Sequence, residues 1–190
     1  DLRQSTDSSR KTSAMEFFAT CAWGLESVLG EELRTLGLEK VRPLTGGVGF
    51  HGDMRSAYTA LLWSRVASRI LLVLDRVSAA NSDDLYESAK AVPWEEHIDC
   101  GRTIAIAARG TNEELRDTRF TSLRVKDAIC DRLREVLGER PSVDPARPDV
   151  LVQVTLRSNR ATLFIDLSGR SLENRGYRDA HRGFAGELRE

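Results

Sequence analysis

The stretch Leu115–Leu137, LRDTRFTSLRVKDAICDRLREVL, constrains the fold more than any other part of the chain. A rotation of about 100° per residue places Leu123, Val125, Ile129, Cys130, Leu133, Val136 and Leu137 on one arc, with Arg124, Asp127, Asp131, Arg134 and Glu135 opposite. A helix with one apolar face needs a surface to cover it, and the flanking segments supply one. Thr103–Ala108, TIAIAA, reads as a strand. Asp149–Arg157 and Arg160–Ser168 alternate with a period of two around a Ser158-Asn159 turn, the pattern of a hairpin. The opposite charges have ordinary i+3 partners, such as Asp131 with Arg134, and read as a solvated face. Lys126 is the exception, because it projects into the apolar arc. Two readings stand: its stem packs while the ammonium reaches water, or the ammonium joins Arg116 and Arg119 to hold phosphate near the positive end of the helix.

The first half has a different rhythm. Glu16–Cys21 reads as a strand, and Trp23-Gly24 as a turn. Leu25, Val28, Leu29, Leu33 and Leu36 follow at helical spacing up to Gly37, a residue suited to a left-handed C-terminal cap. Val41–His51 contains a Thr45-Gly46-Gly47 turn and an alternating strand. Asp53 is placed to cap a second helix through Met54, Ala57, Tyr58, Leu61 and Leu62, and Ile70–Leu74 is a buried strand running toward Val77. This β-α-β-α-β order, with room for an extra strand, predicts a small ferredoxin-like sandwich over 16–78. Residues 79–82 mark a boundary. Beyond it, Ser82 or Asp83 caps a third helix that Pro93 interrupts, Trp94 and Ile98 serve as packing anchors, and Pro141, Pro145 and Pro148 stiffen a loop.

Several function classes find no support. Gly47-Val48-Gly49-Phe50-His51-Gly52 satisfies a dinucleotide-binding pattern, but a short proline-containing segment precedes it and the first candidate acid is Asp75, so a hairpin or bulge is the expected reading. The three cysteines, Cys21, Cys100 and Cys130, are isolated, which favours a reducing compartment, here the cytoplasm. No histidine has metal-ligand spacing, no apolar run reaches membrane-spanning length, and no nucleophile–base–acid set stands out. The net charge of −1 conceals an asymmetry: residues 1–100 carry 11 basic and 15 acidic side chains, and residues 101–190 carry 17 and 14. A polyanionic partner is therefore expected on the second half. Its last part interleaves Arg170, Arg175, Arg178 and Arg182 with Tyr177; arginine grips phosphate bidentately and tyrosine stacks bases, although a charged linker has the same composition. Residues 1–15 read as disordered or foreign to the natural protein, with Met15 as a candidate start.

The segments GLESVLGEELRTLG, GGVGFHGD, LWSRVASRILL, DLYESAKAVPWEEH, RVKDAICD, PDVLVQV and IDLSGRSLENRGYR, in this order, resemble the N-terminal region of bacterial 23S ribosomal RNA guanine-N2 methyltransferases. The resemblance implies an α+β chain: an N-terminal ferredoxin-like domain over 16–78, then a THUMP domain, an RNA-binding module, over 79–170, with a start nearer 56 as the alternative. Residues 171–190 would be a linker to a Rossmann-type methyltransferase domain. That domain uses S-adenosylmethionine and an Asn/Asp-Pro-Pro-Tyr/Phe motif, which this sequence does not contain. The chain is thus expected to bind 23S ribosomal RNA or its precursor, without metal, membrane or cofactor of its own. The residues selected for RNA contact are Arg119, Arg124, Lys126, Arg157, Arg160, Arg175, Tyr177 and Arg178. Two alternatives stay open: the same module attached to another chemistry, such as thiouridine synthesis on transfer RNA, or a ferredoxin-like interaction module with no RNA role.

Overall fold

A computed structural model describes residues 14–99 and 101–172. The expectations for residues 1–13 and for Arg175, Tyr177 and Arg178 lie outside the described residues. Met15, expected outside the fold, opens the first strand opposite Gly52.

The described chain begins β1 (Met15–Thr20), α1 (Glu26–Thr35), β2 (Glu39–Leu44), β3 (Gly47–Gly52), α2 (Met54–Trp63) and β4 (Arg69–Ser78), a ferredoxin-like βαββαβ unit in which β2 is the extra strand. It continues with α3 (Ser82–Lys90), a 3-10 turn at Trp94–Glu96, β5 (Thr103–Arg109), α4 (Thr118–Leu137), β6 (Ser142–Val143), β7 (Val150–Arg157) and β8 (Arg160–Asp166). The two units do not stand apart. Their strands form one eight-stranded sheet in the order β2-β3-β1-β4-β8-β7-β5-β6, joined where β4 pairs antiparallel with β8. A bulge between Val73 and Asp75 adjusts the register along that seam.

Alternation along the strands sends one set of apolar side chains to a common face, where the four described helices lie. Phe17, Ala19, Val48, Phe50, Ile70 and Leu72 pack with Leu29 and Leu33 of α1 and Ala57 and Ala60 of α2. Val77, Ile104, Val152, Val154, Ala161 and Leu163 pack with Leu85 and Ala89 of α3 and Val125, Ile129 and Leu133 of α4. Leu74 and Val150 touch both clusters, so the core is continuous across the seam. Trp94 and Ile98 are buried, as their anchor role requires, and the Trp94 indole N–H donates to the Ala89 carbonyl at 2.7 Å.

The helix ends follow their sequence signals with one change. Asp53 caps α2 by accepting from the Ser56 amide at 2.9 Å, and Gly37, at φ +78°, follows α1. The cap of α3 is Asn81 rather than Ser82 or Asp83; its Oδ1 accepts from both the Asp83 and Asp84 amides.

The buried arc of α4 is rotated from the expected one. Thr121 and Ala128 are buried with Val125, Ile129, Cys130 and Leu133, whereas Leu123, Val136 and Leu137 are exposed. The cause is α3, which packs beside α4 and takes up much of the face read as solvated. There the Tyr86 hydroxyl donates to Asp131 at 2.7 Å, and Lys90 pairs with Glu135. The Asp131–Arg134 pair is present as well.

No described helix is long and apolar enough to cross a membrane. No group of three or more metal-ligating side chains forms among the described residues.

Candidate nucleic-acid interface

The end of the sheet where β5 and β7 finish gathers basic side chains. Arg157 and Arg160 face one another across the β7–β8 hairpin, and Arg109 lies opposite Thr155 on the neighbouring strand. All three are exposed, and none has an acidic partner among the described residues. Like charges directly opposite in a strand pair repel, and an anion bound between them relieves that repulsion.

The segment leading into α4 is fastened to this end. Gly110 has φ +81°, and a Cβ there would stand 2.1 Å from the Leu156 carbonyl oxygen, so only glycine allows the chain to pass so close. The Asn112 side-chain amide donates to the Ala79 carbonyl at 2.8 Å and the Ser158 carbonyl at 3.0 Å, and its Oδ1 accepts from the Leu115 amide. Asp117 then caps α4 through the Arg119 amide at 2.7 Å, and the Ser122 hydroxyl accepts from the Ala108 amide at 3.0 Å. These bonds bring the positive end of the α4 dipole, with exposed Arg119, toward the arginines of the sheet.

The other sequence-selected cations on α4 lie elsewhere. Arg124 turns toward α3, where its guanidinium sits 4.6 Å from the Tyr86 ring centroid and pairs with Asp83 at 2.9 Å. Arg124→Ala is therefore expected to destabilise the fold by about 1 kcal/mol, lowering Tm by roughly 2–4 °C in a thermal melt, with only a small effect on polyanion binding. Lys126 lies two helical turns from Arg119, roughly 10 Å along the axis, and its ammonium pairs with Asp127 at 2.7 Å. It lines a groove with Cys130, Arg140 and Pro141, where burial pushes the Cys130 thiol above its ordinary pKa. The structure thus brings Arg119, Arg157 and Arg160 to one end and holds Arg124 and Lys126 apart from it. Arg109 was missed from the sequence, although it directly follows the TIAIAA strand.

The second feature the sequence did not reveal is the helix-free face of the sheet, the one that none of the described helices covers. It carries a groove of about 1380 Å³ that crosses both units, from the Cys21–Gly24 and Pro43–Gly46 turns to Arg109 and Arg157. Phe18 and Phe164 meet on its floor with centroids 6.1 Å apart, and Trp23 stands at its edge, 87% exposed. Two further arginines on this face are neutralised. Arg76 donates to Glu16, and that hydrogen bond holds the Glu16 carboxyl below its ordinary pKa. Arg69 pairs with the Asp166 carboxylate, which also accepts from the Gln153 side-chain amide at 2.8 Å.

The glycine pattern at 47–52 is part of a strand, as the hairpin reading expected. It lies within β3, where a Cβ at Gly47 would meet the Ala19 carbonyl oxygen at 2.2 Å and one at Gly52 would meet the Ser56 hydroxyl at 2.3 Å. Those two glycines serve strand packing.

Comparison with known proteins agrees with this architecture. Residues 16–71 match the RlmL ferredoxin-like domain, and residues 79–166 match the THUMP domain. The chain is 48% identical over 163 residues to the ribosomal RNA large subunit methyltransferase K/L of Pseudomonas aeruginosa, covering 86% of this chain and 22% of that protein. It is 44% identical over 162 residues to the protein of the same name from Magnetococcus marinus, covering 85% and 22%. Among solved structures, SMU.472, described as a methyltransferase and crystallised with SAH, superposes with a TM-score of 0.77 at 28% identity, over 87% of this chain and 45% of that one. The chain therefore spans less than a quarter of the curated relatives it matches. It carries an RlmL ferredoxin-like domain followed by a THUMP domain, and over those residues is similar to the ribosomal RNA large subunit methyltransferases K/L.

Proposed function

We propose that this chain binds structured 23S ribosomal RNA, or its precursor, and presents it to an S-adenosylmethionine-dependent methyltransferase domain of the same polypeptide in the bacterial cytoplasm. In this reading 16–78 and 79–170 are the two docking domains and 171–190 leads to the catalyst. The implied reaction is methyl transfer to guanine N2. The names of the relatives and the SAH-bound neighbour support the chemistry. The observation that carries RNA binding is the set of three exposed arginines without acidic partners among the described residues, Arg109, Arg157 and Arg160, at the same end of the sheet as the N-terminus of α4 and Arg119. Arg175, Tyr177 and Arg178, which follow in the sequence, belong to the same proposal.

Binding of a 23S fragment across a salt series tests the reading. Four phosphate contacts predict a log–log slope of about −3 to −4, and a flat response sinks the electrostatic account. Lys126 belongs to the proposal as a second contact, together with Arg140 in its groove. Lys126→Ala is expected to weaken RNA binding while leaving Tm nearly unchanged. A variant with lower Tm and unchanged affinity would assign the lysine to packing alone.

A further inference from the structure

We propose that the helix-free face of the sheet is a stacking platform for a short single-stranded RNA segment, continuous with the arginine-rich end that takes phosphate. The proposal deepens the RNA-binding reading and rests on it.

Four observations carry the inference. The face is aromatic where bases would lie: Phe18 and Phe164 touch at its centre, and Trp23 projects at its edge without packing into the core. Phe164 is almost covered, so Phe18 and Trp23 present the rings a base can reach. The Phe18 ring is seated over Gly47 of β3, itself buried, where a Cβ would stand 2.8 Å from its Cζ, so glycine at 47 leaves that ring its place on the sheet. The positive groups lie at the far margin, where Arg109 and Arg157 line the groove and a sugar–phosphate chain would leave the rings. Between them, Thr20, Thr155 and Thr162 supply hydrogen-bonding groups for base edges.

The dimensions agree. Six neighbouring strands from β3 to β5 span about 24 Å, room for several nucleotides at roughly 3.4 Å each when stacked. Sheets with exposed aromatics bind unpaired bases in this way, because rings stack on any base, whereas the edges of a duplex are already paired and its faces covered. Two acids on this face are matched by arginines, Glu16 by Arg76 and Asp166 by Arg69, and Glu26 accepts from the Gly46 amide at 3.1 Å.

The test uses the whole 190-residue chain with a mixed-sequence RNA of about 12 nucleotides, single-stranded or annealed to its complement, read by tryptophan fluorescence and by affinity. Single-stranded RNA is expected to quench Trp23, and Trp23→Ala to abolish that quenching, since Trp63 is on α2 and Trp94 is buried. Trp23→Ala and Phe18→Leu are each expected to weaken single-strand binding roughly 5- to 100-fold and to leave duplex binding unchanged. Trp23 is too exposed for its loss to unfold the chain, and leucine at 18 keeps the apolar floor.

Unchanged single-strand affinity in both variants, with loss on removal of the arginines, overturns the platform and leaves RNA binding intact. Equal binding of both RNAs without quenching also overturns it, and would mean that other parts of the polypeptide cover the face. A wild-type chain that binds neither RNA overturns the RNA-binding reading itself.

Discussion

Arg69→Met is expected to destabilise the chain by about 3–5 kcal/mol and to lower its melting temperature by roughly 6–20 °C. Asp166 is the reason. Its side chain is fully buried, and its carboxylate is satisfied by Arg69, by the Gln153 side-chain amide at 2.8 Å and by the Ser168 amide at 2.8 Å. Methionine keeps the length and apolar stem of the arginine but leaves the buried charge with two neutral donors. The three side chains belong to β4, β7 and β8, the strands that join the ferredoxin-like unit to the THUMP unit. The loss is therefore expected at the seam, and amide hydrogen exchange should report faster opening along β4 and β8 than along β1 and β3. Adding Asp166→Asn to Arg69→Met removes the uncompensated charge and should recover part of the stability. If Arg69→Met melts like wild type, the network does not hold the seam.

Replacing Arg119, Arg157 and Arg160 together by alanine is expected to weaken RNA binding on the order of tenfold to a hundredfold and to reduce the salt slope by about 3. The melting temperature should hold or rise slightly, because the variant removes the repulsion between Arg157 and Arg160 and no ion pair among the described residues is lost. That opposite movement of affinity and stability separates a binding surface from an ordinary solvated one. Equal affinity in the triple variant and wild type would remove the arginine-rich end from the interface and shift attention to Lys126 and the segment after 172.

Much of the local structure was legible. Period-two alternation gave the β7–β8 hairpin, helical spacing gave α1 and α4, and Asp53 marked the start of α2. For the candidate site, Arg119, Arg157 and Arg160 were selected for their charge and context, and the fold places them at one end of the sheet, where they enter the proposal. The role of Arg124 was not legible. Its position on the helix surface suggested solvent, and only the approach of α3 supplies Tyr86 and Asp83.

By itself, then, the sequence determined the elements, because periodicity and capping act between residues within a few positions of each other. The tertiary structure alone decided that two units share one sheet, that Arg69 meets Asp166, and that Phe18, Phe164, Arg109 and Arg157 lie along one groove. Those contacts join residues tens of positions apart through strand order and register. A shift of one residue in register would turn each side chain to the other face, and no local pattern specifies which strands become neighbours.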